Sequence, residues 1–362
     1  MADPREARQA ALRALLAAEG FDQLVVQALP NIRYLTGFSG SAGLLLVRRD
    51  DLVLVTDFRY AAQAPREVGG AARVEVDQVS VWDRLRRVLA ERPGAGTAFE
   101  AHVATVRDRE RLEGLLPGRT WTPAPELVER LRAVKDSGEV AAIRRAAALA
   151  QAALAETLPA IRAGQTEYEV AALLEGALRR RGSEWHPFPT IVASGPRAAL
   201  PHARTSERVL GRGEWLLLDF GAQVDGYCAD LTRTIVVGAR ADERQRAVYD
   251  TVRRAQRRAL EHLRAGMSGK DADLLAREVI ARQGFGESFG HSLGHGLGLE
   301  VHEAPRLSPT AEAALPAGAV VTVEPGIYLP GWGGVRLEDD VHLTPEGPEL
   351  LSDNRVDLLE LV

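Results

Sequence analysis

Four acidic residues stand in or at the ends of apolar runs: Asp219 in Trp215-Leu216-Leu217-Leu218-Asp219-Phe220-Gly221, Asp230 in the run Tyr227 to Val237, Glu324 in Val320 to Gly326, and Glu338 in Gly334 to Asp340. An ionised carboxylate in an apolar strand is costly unless it is paired or binds a cation. One such acid alone reads as a strand-end or turn residue. Four together point to a polyvalent cation. Five of the eight histidines, His186, His202, His291, His295 and His302, fall among these acids, three of them in the glycine-rich run Phe289 to Glu303. Carboxylates and imidazoles without sulfur suit manganese, zinc or cobalt. The carboxylate excess favours two ions, because bridging carboxylates offset positive charges roughly 3.5–4 Å apart. Hydrolysis is the reaction such a pair suits best. The glycine-rich run has no Gly-Lys-Ser/Thr element, so phosphate binding is a weak reading of it.

These acids need strands to carry them. Trp215 to Gly221 and Tyr227 to Val237 read as an antiparallel pair joined by a turn at Val224-Asp225-Gly226. On a period of two, Asp219 shares a face with Leu217, and Asp230 shares one with Cys228, Thr232 and Thr234, so acids from paired strands can converge. Upstream, Ser137 with Glu139 opens a predicted amphipathic helix running to Ile161, and a second helix follows from Thr166. The segment from Arg162-Ala163-Gly164 through Thr166, Glu169, Leu173 and Gly182 recurs 102 residues later as Arg264-Ala265-Gly266 through Ser268, Asp271, Leu275 and Gly284. Both copies start a helix with capping-box spacing. The second domain therefore reads as two related halves, each a helix pair feeding a β hairpin, with a cleft between them. The first domain reads as α/β, with a helix over Glu6 to Glu19, strands beginning at Gln23, Leu44 and Leu52, and a helix over Val81 to Glu91. Pro123 and Pro125 argue against further helix or strand there and place the boundary near residue 128.

A chain of 362 residues fits two domains of about 150 residues each. Its net charge of -5 provides no global basic field for nucleic acid or an anionic membrane. Lys135 and Lys270 are the only lysines, and the abundant arginines are scattered among as many acids, which is a compositional bias rather than a phosphate site. Cys228 is the only cysteine, which excludes an intrachain disulfide and a thiolate zinc site. Charged residues interrupt the first turns, and no run approaches the ~20 apolar residues of a membrane span. The expected location is the cytoplasm.

The stretches Ile191-Val192-Ala193-Ser194-Gly195, Pro201-His202, Leu218-Asp219-Phe220-Gly221, Asp225 to Thr234, Gly290 to Gly296, Glu300-Val301-His302-Glu303, Val323-Glu324-Pro325-Gly326 and Val335 to Asp339 resemble, in order, the proline-specific branch of the pita-bread metallopeptidases. That branch comprises Xaa-Pro aminopeptidases (aminopeptidase P) and Xaa-Pro dipeptidases (prolidases). Tyr34 to Gly43 and Thr56-Asp57-Phe58-Arg59-Tyr60 are similar to its non-catalytic, creatinase-type domain. The implied fold class is α/β (α+β), with a creatinase-type domain at 1–128 and a pseudo-symmetric pita-bread metallopeptidase domain at 129–362.

The resemblance implies two divalent metal ions per subunit, manganese first and zinc or cobalt as alternatives, held by Asp219, Asp230, His295, Glu324 and Glu338. Asp230 and Glu338 would bridge, Asp219 would serve one ion, and His295 with Glu324 the other. Glu324 would also take the proton of the attacking water. His202, His291 and His302 match substrate-contacting histidines, with His302 placed to stabilise the oxyanion or shuttle a proton. Arg306 and Arg336 join them as substrate-binding candidates. The first domain of the family reaches a neighbouring subunit's cleft, which implies a homodimer or a higher homo-oligomer. The expected activity is release of the N-terminal residue from peptides with proline second, as in aminopeptidase P, to which Gly37 to Ser41 and Thr56 to Tyr60 are closer. Arg306 resembles an arginine with which prolidases hold a dipeptide carboxylate, so a dipeptidase is the alternative. An inactive peptide-binding module is another, and retention of all five ligands argues against it and against a creatinase. Methionine aminopeptidases usually lack the first domain. No nucleic-acid or membrane partner is implied.

Overall fold

The computed structural model describes residues 3–92, 96–352 and 357–362. The chain divides into two compact units, Met1–Arg132 and Ala133–Val362.

The first unit is built on a six-stranded sheet in the order Arg73–Asp77, Leu52–Asp57, Leu44–Arg48, Gln23–Val26, Thr97–Glu100, Trp121–Ala124. Its last strand contains Pro123, contrary to the expectation that prolines end regular structure there. The strand forms because it lies at the sheet edge, parallel to Thr97–Glu100 alone, where a missing N–H is tolerated. The helix Leu127–Arg132 also belongs to this unit: Arg132 Nη1 donates to Asn31 Oδ1 at 2.7 Å, and Arg130 pairs with Glu19 at 3.5 Å. The division therefore falls after Arg132 rather than at residue 128.

The second unit opens with the helix Ser137–Thr157. Its cap is Asp136, in a reciprocal capping box with Glu139, so Ser137 is the first helical residue and not the cap. The helix gives way at Leu158-Pro159-Ala160 to a 3-10 turn, short of Ile161, because Pro159 has no N–H to continue the ladder. The repeat has a physical counterpart. Helices Glu167–Arg180 and Gly269–Arg282 begin 102 residues apart, capped by Thr166 and Ser268. Gly164 and Gly266 precede them with φ +93 and +88, and their N–H groups donate to Leu210 and Leu315 carbonyls at 2.9 and 2.8 Å. Positive φ is the reason for glycine at both places. Ser137–Thr157 packs on the first of these helices, and Glu243–His262 on the second.

Each helix pair covers a sheet. One has the order Glu360–Leu361, Leu231–Val237, Trp215–Phe220, Ile191–Ser194; the other has the order Glu303–Leu307, Gly294–Gly296, Val320–Val323, Asp339–Leu343, Pro348–Leu350. Alternation along the central strand serves two cores: Leu216, Leu218 and Phe220 pack with the first helix pair, while Trp215 and Leu217 enter a core that also holds Val321 and Val335. Asp219 therefore faces the space between the two halves. Asp225 and Gly226, at φ +52 and +80, form the predicted hairpin turn.

Three acid-bearing runs are divided between strands, the expected continuous strand Tyr227 to Val237 among them. Tyr227–Cys228 and Leu231–Val237 are separated at Ala229-Asp230; Val320–Val323 and Gly326–Leu329 at Glu324-Pro325; Gly333–Arg336 and Asp339–Leu343 at Leu337-Glu338. Each break coincides with an acid that leaves the ladder. An isolated bridge between Thr232 and Glu338 joins the two sheets at this point, with Glu338 N–H donating to the Thr232 carbonyl at 3.1 Å. Among the described residues, no helix is long and apolar enough to cross a membrane.

A Cβ on Gly221 would stand 2.2 Å from the Ala229 carbonyl oxygen and 2.6 Å from Pro187 Cγ. Gly221→Ala should therefore destabilise the second unit by about 1–3 kcal/mol, read as a lower urea midpoint. An unchanged midpoint would contradict this packing.

Candidate active site

A cleft of about 720 Å³ in the second unit is lined by His202, Asp219, Asp230, His291, His295, His302, Arg306, Glu324, Arg336 and Glu338. Every residue that the sequence nominated for metal or substrate is thus brought to one cavity. His186 is not among them; it lines a separate cavity of about 390 Å³ with Trp185 and Cys228, which also touches His302.

Both halves supply acids. Asp219 lies opposite Thr232 in the antiparallel register of one sheet, and Asp230 precedes that partner strand. In the other half, Glu324 follows Val320–Val323 and Glu338 precedes Asp339–Leu343. Burial pushes all four carboxyls up. For Asp230 and Glu338 the neighbouring carboxylates push the same way, so both stand well above the ordinary range. Burial carries Glu324 to about 7, and it raises Asp219 despite the opposing charge of Arg336. Asp230, His295 and Glu338 present ligand atoms within 4.8 Å of one another. Among the described residues, Asp219 Oδ1 and Asp230 Oδ1 are buried with no hydrogen-bond partner.

His295 shows which charge belongs here. Its Nδ1 lies 3.0 Å from the Gly296 carbonyl, which assigns the proton to Nδ1 and the lone pair to Nε2. That Nε2 lies 3.4 Å from Glu324 Oε1 and 3.8 Å from Asp230 Oδ2. Burial, with His302 adding to it, lowers His295 to about 4, so the ring is neutral at neutral pH. A lone pair facing two carboxylates is repulsive unless a proton or a cation lies among them. Carboxylate and imidazole donors, without sulfur, fit a hard or borderline divalent ion.

Arg336 is buried, and its bonds go to the protein. Its Nη2 donates to Asp219 Oδ2 at 2.5 Å, Nε to Thr232 Oγ1 at 3.0 Å, and Nη1 to Tyr328 Oη at 2.9 Å and to the Pro201 carbonyl at 3.1 Å. His291 is similarly committed, with Nδ1 2.8 Å from the Ser292 carbonyl and Nε2 2.8 Å from Tyr328 Oη. Burial, with Arg336 next, lowers it to about 4. In the order Arg336 to Tyr328 to His291 to Ser292, each group donates to the next. Its loop is held by Asp273, which accepts from Leu293 N at 2.9 Å, and by Arg277, which pairs with Asp273 at 2.6 Å and donates to the His291 carbonyl at 2.7 Å. His202, His302 and Arg306 are exposed to the cleft. Partial burial and then Arg306 lower the His302 pKa, which keeps that ring neutral.

Sequence reasoning passed over several supporting residues. Thr232 Oγ1 donates to Glu338 Oε2 at 2.5 Å; Thr322 Oγ1 accepts from His295 N at 3.1 Å and donates to Glu324 Oε1 at 3.2 Å. The signal was present: each is a hydroxyl on a buried strand two residues from an acid. Tyr328 carried none, since an aromatic in a strand reads as core.

Residues 141–345 match the Metallopeptidase family M24, and residues 8–134 match the Creatinase/Prolidase N-terminal domain. The chain is 35% identical over 339 residues to the Xaa-Pro dipeptidase of Pyrococcus furiosus, which covers 93% of this chain and 95% of that protein. An Xaa-Pro dipeptidase structure from Bacillus anthracis superposes with a TM-score of 0.95 at 38% identity, covering 99% of this chain and 100% of that one. An X-Pro aminopeptidase structure from Thermotoga maritima gives 0.91 at 38% identity, covering 98% and 99%. With its acids, its neutral imidazole and both domains accounted for, the chain belongs to metallopeptidase family M24, a pita-bread metal-dependent enzyme behind a creatinase/prolidase N-terminal domain.

Proposed function

We propose that the protein is an Xaa-Pro dipeptidase, hydrolysing the bond before proline with two divalent ions held by Asp219, Asp230, His295, Glu324 and Glu338. The observation that carries the metal assignment is the His295 lone pair facing Glu324 and Asp230, in a pocket where two carboxylate oxygens have no other partner. Asp230 and Glu338 would bridge, Asp219 would complete one ion's set, and His295 with Glu324 the other's. When bound, the ions supply Lewis acidity that activates water and polarises the scissile carbonyl. Glu324 takes up and returns a proton. His302, neutral and open to the cleft, donates to the developing oxyanion or passes a proton to the leaving proline nitrogen. His202 contacts substrate from the opposite loop. Because both His291 nitrogens and four of the Arg336 N–H groups are bonded to the protein, these two residues shape the cleft and orient their neighbours. Manganese is the proposed metal, with zinc or cobalt as alternatives, in a homodimer or higher homo-oligomer located in the cytoplasm.

On substrate length the preference moves from the aminopeptidase expected above to the dipeptidase alternative. The Pyrococcus furiosus and Bacillus anthracis relatives bear that name, and Arg306 lines the cleft where it can hold a free carboxylate. The Thermotoga maritima structure keeps the aminopeptidase as the second reading.

Chelation should abolish Xaa-Pro cleavage, and reloading with manganese, cobalt or zinc should restore it; full activity in protein shown metal-free by elemental analysis would contradict the reading. Asp230→Ala or Glu338→Ala should lose metal and activity together. His302→Ala should keep its metal while kcat falls ~10²–10⁴-fold. Wild-type enzyme should turn over Xaa-Pro and leave Xaa-Pro-Yaa intact, and Arg306→Ala should lower kcat/KM for Xaa-Pro by ~10–100-fold, the weight of a charge-assisted bond. Efficient release of the first residue from tripeptides would restore the aminopeptidase. Carboxyls raised by burial hold protons in the metal-free protein, so metal binding should release protons and weaken as pH falls below about 7. Calorimetry in buffers of different ionisation enthalpy measures that release.

A further inference from the structure

Glu167 lies outside the cleft and has no part in the chemistry above, yet it is fully buried at the first turn of Glu167–Arg180. Its Oε1 accepts from Ser194 N at 2.8 Å and Ser194 Oγ at 2.9 Å. Its Oε2 accepts from Ser206 N at 3.0 Å and Ser206 Oγ at 2.6 Å. Arg197 Nε bridges both oxygens at 3.2 Å. Residues 195–205, between these two serines, form the loop that carries His202 into the cleft. One carboxylate thus closes both ends of the loop.

The rest of the loop is held in keeping with this. Thr205 Oγ1 donates to the Thr190 carbonyl at 2.8 Å and accepts from Val192 N at 3.0 Å, while Arg336 grips the Pro201 carbonyl next to His202. The Ser206 end is also tied to the helix start, where Tyr168 N donates to the Ser206 carbonyl at 3.2 Å, and Ser194 Oγ accepts from Arg208 Nη1 at 2.7 Å; the Glu167 carboxylate is the group from the helix that meets both serines. Without Glu167, the Ser194 and Ser206 amides and Arg197 lose their shared acceptor, and the cost of leaving such groups unmade favours rearrangement of the loop. A displacement of about 1 Å in a group that meets the substrate is enough to cost ~10²-fold in rate.

We propose that Glu167 is a positioning residue that acts on catalysis through His202, by clamping the ends of its loop. The inference rests on the proposed hydrolysis of Xaa-Pro. Metal-loaded, full-length Glu167→Gln, which keeps the shape but replaces one acceptor oxygen by a donor, should bind metal normally and lose ~10–100-fold in kcat/KM. In the His202→Ala background the same change should alter kcat/KM less than ~2-fold, because its route of action is already gone, whereas with His291→Ala the two losses should multiply. Hydrogen exchange should quicken in peptides covering 195–206 and not across the rest of the second unit. A full multiplicative loss on His202→Ala, or exchange that rises throughout the unit, would overturn the proposal and leave Glu167 a general stabiliser. If Glu167→Gln does not fold, Ser206→Ala, which removes one donor, enters the same cycle with a smaller expected loss. Should the metal-loaded wild type cleave no Xaa-Pro peptide, the functional reading fails, and the exchange pattern alone decides the clamp.

Discussion

Like charge held in a confined, buried space is the condition around which the second unit is organised. Two unit charges ~4 Å apart interact with about 4 kcal/mol at an effective dielectric near 20, so several carboxylates in one pocket cost as much as a domain's net stability unless protons or cations offset them. Arg336 supplies one fixed positive charge and is tied to Asp219. The remaining acids are left with raised affinity for protons, which is the same property as readiness to take a metal when the protons leave.

The backbone accommodates these acids by interrupting its strands. A residue inside a ladder has its side-chain direction fixed by the pleat; a residue at a break does not. Asp230, Glu324 and Glu338 stand at breaks, and the hydroxyls of Thr232 and Thr322 hold two of these carboxylates from the adjoining strands. The two sheets also meet at the Thr232–Glu338 bridge, so the polar centre and the seam between the halves are one place.

How much of this could be read from the chain depended on locality. The hairpin turn at Asp225-Gly226 and the paired helix starts at Thr166 and Ser268 are governed by neighbouring residues, and they were legible. The four acids were legible too, because chemically costly types in apolar runs mark themselves, whereas Arg306, Arg336 and the separate roles of the histidines came only from the resemblance to a family. The strand at Pro123 was not legible, since its tolerance depends on lying at a sheet edge, which is a tertiary fact. The cap at Asp136 was misplaced by one residue because Ser137 has an equally suitable side chain. The break at Ala229-Asp230 escaped notice for a related reason: a continuous β-forming run does not reveal where the ladder lets go. Partners far apart in sequence, such as Arg336 with Pro201 or Tyr328 with His291, left no trace in composition or spacing.

The 102-residue repeat bears on what such a centre can hold. Each half contributes one acid at or just after the end of a sheet strand and one just before the next strand of that sheet: Asp219 in Trp215–Phe220 with Asp230 before Leu231–Val237, and Glu324 after Val320–Val323 with Glu338 before Asp339–Leu343. Two halves of like order enclose four carboxylates between them, and in one continuous chain they need not match: His295, at the strand Gly294–Gly296 of one half only, is such an asymmetry. Identical copies can make only a site with two equal ends; a fused chain can hold a substrate that has a direction.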